Sequence, residues 1–278
     1  MEKFLTDVHI HSTFSFDGRD TLKDILFEAH AKGYAFLGVA EHFDYDWLLL
    51  KTLPQKLIDA ENYFHEARRL QEDYQGCMNV LIGAEFGYAD DERVAKKYAE
   101  TVEKYRPDFI VNSVHTLRGE DYYFRQPFYT QKGEGKLREK REVYEEYLSL
   151  LLKSVHASYP YDIVGHIGYA TRYAPYEDKS LSYAEFKKPL DEILQAIIDK
   201  NKILEVNTAV KDERLFVPTD EIVKRYYQLG GRNVSFASDA HIVARIGDKR
   251  AETVKRLKEI GFTHITVPFR GEYIKVEI

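Results

Sequence analysis

The sequence predicts an α/β fold: a parallel barrel of seven βα repeats with its functional groups at the strand ends. Three observations lead there. Seven short apolar runs recur, each mostly apolar on both faces, as buried parallel strands are. Longer stretches of helical periodicity separate them, and seven such repeats close more readily into a barrel than lie flat. Finally, the polar residues with chemistry fall at the C-terminal ends of the runs.

The first run, LTDVHI at 5–10, leads into HIHSTFSFDG, so His9 and His11 share one face of a strand and Asp17 follows. DTLKDILFEAHAKG at 20–33 reads as a helix, capped by Asp20 or Thr21 and stopped by Gly33. AFLGVAE at 35–41 ends at Glu41 and His42, and NVLIGAEF at 79–86 carries Glu85. DFIVNSVH at 108–115 ends at His115, and DIVGHIG at 162–168 carries His166. The helical stretch at 137–157 lies between these two, with charges on one side and Leu, Val and Tyr on the other. KILEVN at 202–207 ends at Asn207, and NVSFAS at 233–238 leads into Asp239 and His241. Residues 263–278 read as a closing hairpin. No Gly-rich phosphate loop follows the first strand, and no low-complexity linker divides residues 1–278, which are expected to form one domain.

Composition narrows the function classes. The net charge of −6 repels nucleic acid on average and suits a small substrate carrying positive charge. The single cysteine, Cys77, gives no disulfide framework. The start of the chain has no apolar run of signal-peptide type, and nothing approaches the roughly 18 apolar residues of a membrane span. A cytoplasmic location is the expectation.

In a βα barrel the site lies at the C-terminal ends of the strands, so these groups converge. Imidazole and carboxylate together suit Zn, Fe or Mn, and several in one pocket suggest more than one metal. A single strand-end histidine is usually structural, but so many at strand ends are not accidental. His30, His65 and His156 lie in predicted helices and His264 in the hairpin, so these four are expected off the site.

HIH with Asp17, EH at 41–42, Glu85, His115, His166 and DAH at 239–241 resemble the PHP (polymerase and histidinol phosphatase) superfamily. The resemblance runs from residue 7 to about 248, and FLGVAEHFDYDW and DFIVNSVHTLRGEDYYF are most similar to its histidinol-phosphatase branch. It implies a distorted (β/α)7 barrel, three divalent metal ions (Mn, Zn or Fe) and hydrolysis of L-histidinol phosphate in histidine biosynthesis. One metal would be held by His9, His11, Glu85 and Asp239, a second by Glu85, His115 and His166, and a third by Asp17, His42 and His241. Some relatives have histidine in place of Asp17, and a carboxylate there favours Mn or Fe slightly over Zn. Glu41, where relatives often have Asp, is expected to orient His42.

Such metals lower the pKa of water and neutralise phosphoryl charge. Asp239 or His241 is a candidate proton relay. Arginines grip phosphate bidentately. The resemblance assigns this to Arg172 and Arg214, with Lys211 as a substitute for Arg214 and Arg118 as a further candidate. The substrate's amine and imidazole would suit acidic and aromatic groups, for which Asp44, Asp46, Trp47, Tyr122 and Tyr123 stand in suitable loops. Rival readings are another phosphoesterase of the superfamily (sugar-phosphate, phosphotyrosine or nucleotide substrates), an amidohydrolase, and a non-catalytic metal-binding module. An amidohydrolase would need a bridging lysine or carboxylate on the fourth strand, which here ends in His115.

Overall fold

A computed structural model of the protein describes residues 4–49, 57–130 and 135–278. The strands are β1 (Leu5–Ile10), β2 (Tyr34–His42), β3 (Asn79–Gly87), β4 (Phe109–Ser113), β5 (Thr116–Leu117), β6 (Glu120–Asp121), β7 (Ile163–Val164), β8 (Ile203–Asn207), β9 (Val234–Ala237), β10 (His264–Phe269) and β11 (Glu272–Glu277). The helices are α1 (Leu22–Ala31), α2 (Ala60–Asp73), α3 (Glu92–Tyr105), α4 (Lys140–Val155), α5 (Lys187–Asp199), α6 (Asp220–Gln228) and α7 (Arg250–Ile260). Seven strands form one sheet in the order β1-β2-β3-β4-β7-β8-β9, and its neighbouring strands all pair in parallel. Just past β9 the chain returns to β1: Asp239 N donates to His9 O at 2.9 Å and His11 N to Ala240 O at 2.9 Å. The sheet is thereby a nearly closed barrel.

The expected strands appear in order, with β7 cut to two residues because the chain turns at Gly165–Gly168 into a short 3-10 turn at Tyr169–Arg172. The Thr21 side chain caps α1 by accepting from Asp24 N, as the sequence indicated.

Two cores result. The larger lies between strands and helices and takes up much of the tyrosine, including the buried Tyr63, Tyr98, Tyr144 and Tyr147. The smaller fills the barrel's lower half with Val8, Leu81, Phe109 and Ile203, and the β10–β11 hairpin plugs it with Val267 and Val276. Gly83 makes room for the Phe109 ring, which would lie 2.4 Å from a Cβ at that position. Side chains two residues apart share a strand face. Glu85 therefore stands above Leu81, and Glu205 above Ile203, at the open end. Among the described residues no helix is long and apolar enough to cross a membrane.

Candidate metal centre and substrate cavity

Glu85 is the hub. Its Oε2 lies 3.3 Å from His9 Nε2, 3.6 Å from His11 Nε2 and 3.0 Å from His42 Nδ1. Its Oε1 lies 3.1 Å from His115 Nε2 and 2.8 Å from His166 Nε2. Burial alone would raise its pKa, but the facing His9, His115 and His42 outweigh burial and hold it well below the usual carboxylate range. Asp239 Oδ1 lies 3.3 Å from His11 Nε2. On the outer side Asp17 approaches His241 Nε2 at 3.1 Å and His42 Nε2 at 3.8 Å. All nine residues named from the sequence as a ligand set thus meet at the mouth.

The donor atoms suit a cation. His9 Nε2, His11 Nε2 and His42 Nδ1 are buried without a hydrogen-bond partner, an unfavourable state that a metal would relieve. Three overlapping sets of ligand atoms each fall within 4.8 Å: His9, His11 and Glu85; His42, Glu85 and His115; His11, His42 and His241. Burial, then the nearby His241 and His42, pushes the His11 pKa down to about 3, leaving the neutral imidazole that metals bind.

A surrounding layer of carboxylates holds the imidazoles. Glu205 meets His9 Nδ1 at 2.6 Å and accepts from His166 N at 2.7 Å. Asp44 contacts His115 Nδ1 at 3.0 Å and His42 Nδ1 at 3.2 Å. The sequence reading missed Glu205, although a glutamate inside the apolar run KILEVN was the available signal. Asp44 had been expected to meet substrate; it stands on the cavity wall, but its oxygens are directed at these imidazoles.

Glu41 corrects an expectation. Its carboxylate does not orient the His42 ring. It accepts from the backbone and hydroxyl groups of Ser12 and Ser15. The tie to His42 is indirect, through His42 N donating to Ser15 Oγ at 3.0 Å. The reason is strand parity: Glu41 faces opposite to His42 and meets the 12–15 loop instead.

A cavity of about 520 Å³ opens above this cluster. Arg172 lines it, donating to Asp239 Oδ2 at 3.1 Å and Asn207 Oδ1 at 2.8 Å, with Nε left without a partner. Lys211 also lines it, its ammonium 4.5 Å from the Tyr173 ring centroid. Burial, with the neighbouring Arg172 and Arg125, lowers the Lys211 pKa. Arg19, which the sequence did not single out, lines the cavity too, and its guanidinium has no hydrogen-bond or ion-pair partner among the described residues.

Two expected phosphate ligands lie elsewhere. Arg214 is not on the cavity wall: Asp212, two residues away, grips it at 2.7 Å through both Nε and Nη2, and Nη1 donates to Thr171. Arg118 sits in the tight β5–β6 turn with φ +56°, and its exposed side chain pairs with Glu146 of α4. Asp46 is buried, accepting from Thr116 Oγ1 at 3.0 Å, and Tyr122 is fully buried in the core. Trp47 and Tyr123 do line the cavity. His30 and His65 are exposed on helices, His156 is exposed at the C-cap of α4, one residue past the end of the helix in which the sequence places it, and His264 is beside Thr263 in the hairpin, away from the site.

Comparison with known proteins agrees with this architecture. The PHP domain family model matches residues 7–209. A histidinol-phosphatase of Lactococcus lactis is 32% identical, over 95% of this chain and 94% of its own length. A probable histidinol-phosphatase of Clostridium acetobutylicum is 29% identical, over 87% of this chain and 88% of its own. A crystal structure of the Lactococcus lactis histidinol phosphate phosphatase, complexed with zinc, L-histidinol and phosphate, superposes with a TM-score of 0.84 at 28% identity. It covers 97% of this chain and 98% of that one. With its barrel, its histidine-rich mouth and these matches, the chain belongs to the PHP domain family.

Proposed function

We propose that this protein is a metal-dependent phosphomonoesterase that hydrolyses L-histidinol phosphate to L-histidinol and phosphate. The observation that carries this is the clustering of five imidazoles about Glu85 beneath a cavity that also presents cations. The Lactococcus lactis relative, with L-histidinol and phosphate bound, supports the choice of substrate. We read residues 1–278 as one barrel domain working in the cytoplasm.

The overlapping imidazole and carboxylate sets support a multinuclear site, for which we propose three divalent ions. His9, His11, Glu85 and Asp239 would hold one, Glu85, His115 and His166 a second, and Asp17, His42 and His241 the third. Zinc is the ion bound in the relative, and the Asp17 carboxylate also suits Mn or Fe. Bound there, such ions supply Lewis acidity towards phosphoryl oxygens and activation of water.

The chain's own groups do the rest. Arg172 presents a planar donor set, already aligned by Asp239 and Asn207, to phosphate oxygens. Lys211 adds a second charge from the neighbouring loop. His241 Nδ1 is held by the Asp239 carbonyl at 3.0 Å, which turns Nε2 towards Asp17 and the proposed third position.

The test is phosphate release from L-histidinol phosphate beside a panel of other monoesters, with and without chelator. A kcat/KM far above the panel, abolished by chelation, is expected. Flat, low rates across the panel would remove the histidinol assignment.

A further inference from the structure

We infer that Asp121 binds the substrate's ammonium group and sets the enzyme's preference for amino-alcohol phosphates. The inference rests on the phosphatase reading above and assigns a residue that the sequence had not singled out.

Asp121 ends the small β5–β6 hairpin, which folds back directly after His115. Thr116 pairs with Asp121, and Tyr122 N donates to His115 O at 3.2 Å. The hairpin thus places the carboxylate on the cavity wall beside the histidine cluster. Asp121 is only 7% exposed. Its Oδ1 accepts from Tyr123 N at 2.7 Å, and no hydrogen bond to Oδ2 or ion pair occurs among the described residues. None of the cations lining the cavity pairs with Asp121 among the described residues: Arg172 holds Asp239 and Asn207, Lys211 rests on Tyr173, and Arg19 makes no hydrogen bond or ion pair to it.

A buried carboxylate with one free oxygen is unfavourable unless a cation arrives. A capping role alone does not require that position. Asp59 caps α2 in the same way, from an exposed site. Burial raises the Asp121 pKa to about 6, as expected for a carboxyl lacking its counter-charge.

The substrate's chemistry supplies the partner. In histidinol phosphate the carbon bearing the amine is one bond from the ester CH2, so the ammonium lies close to the reacting phosphorus. The ammonium is fully charged at neutral pH, whereas an imidazole with pKa about 6.5 is mostly neutral. The carboxylate therefore takes the ammonium. The imidazole is left to the aromatic rim of Phe16, Trp47 and Tyr123, where Phe16 and Trp47 already meet edge to face at 4.8 Å.

The experiment compares kcat/KM for L-histidinol phosphate and its desamino analogue, 3-(imidazol-4-yl)propyl phosphate, in the metal-loaded protein. The wild type should prefer the amine roughly a hundredfold, as loss of one partner of a buried charged hydrogen bond implies. Asp121→Asn should bring that ratio to within about threefold of unity, and Asp121→Glu, which keeps the charge, should retain part of it. An undiminished ratio in Asp121→Asn overturns the inference. Equal loss on both esters, with lowered metal content or melting temperature in both variants, also overturns it and makes Asp121 a cap. A wild type that hydrolyses neither ester removes the phosphatase reading, and this inference with it.

Discussion

Glu205 and His9 are joined at 2.6 Å, Oε1 to Nδ1, with both side chains fully out of solvent. Burial would raise the Glu205 pKa, but His9 outweighs it and keeps the carboxylate ionised. The contact turns His9 Nε2 towards Glu85, and Glu205 Oε2 meanwhile holds His166 N and Asn207 Nδ2. Glu205 is a positioning residue. Glu205→Gln should weaken metal affinity roughly tenfold to a hundredfold. Metal analysis after dialysis against graded chelator measures this, and an unchanged affinity would refute it.

Glu85 faces both sides of the cluster. Glu85→Gln should lower bound metal and reduce kcat by at least roughly a hundredfold, because it removes charge shared by two proposed positions. Elemental analysis and phosphate release should fall together. Full metal content with lost activity would make Glu85 an acid or base instead of a ligand.

Chelation should abolish turnover and lower the melting temperature. Metal at about 100 times its Kd stabilises the folded state by ~2.7 kcal/mol for a single site. For a chain of this size that is several degrees. Calorimetry on apo and reloaded protein tests this, and identical melting curves would argue that the cluster holds no ion.

Lys211 and Arg214 should separate cleanly. Lys211→Ala should raise KM for phosphate esters about tenfold, since it removes a cation from the cavity wall. Arg214→Ala should leave KM within about twofold and lower stability by ~1 kcal/mol or less, because its partners are Asp212 and Thr171. A larger KM effect from Arg214 would restore it as a phosphate ligand.

Asp121 should add a pH signature. Its pKa rises from 3.8 to about 6, first through burial. Between these values the folded state keeps a proton that the unfolded chain has released. The associated stability is present below about pH 4 and lost as pH rises through about 6. Relative to Asp121→Asn, the wild type should therefore lose on the order of 2–3 kcal/mol across that window, read by urea unfolding. The wild-type preference for the amine ester should rise over the same range as the carboxylate ionises. A flat difference in both measurements would contradict the assignment.

The site's inner ring was legible in the chain before folding. His9, His11, Glu85, His166 and Asp239 stand at or near the ends of apolar runs, and a parallel barrel brings all such ends to one mouth. The layer behind it was harder to read. Glu205 looks like an ordinary acidic residue, and Asp44 like a substrate contact, until folding brings them to His9, His42 and His115, and Asp44 is 71 residues from His115. Arg214 shows the opposite failure. Its loop was suitable, but a neighbour two positions away claimed its guanidinium.

The sequence by itself determined the repeat of strands, the closing hairpin and the identity of the inner donors, because short apolar runs and strand-end position are local properties of the chain. Tertiary structure alone decided which carboxylate steadies which imidazole, which cation reaches the cavity, and that Asp121 is buried with one oxygen free. Those depend on distances between segments far apart in the chain, and a hydrogen bond or ion pair exists only where folding brings both partners within a few ångströms.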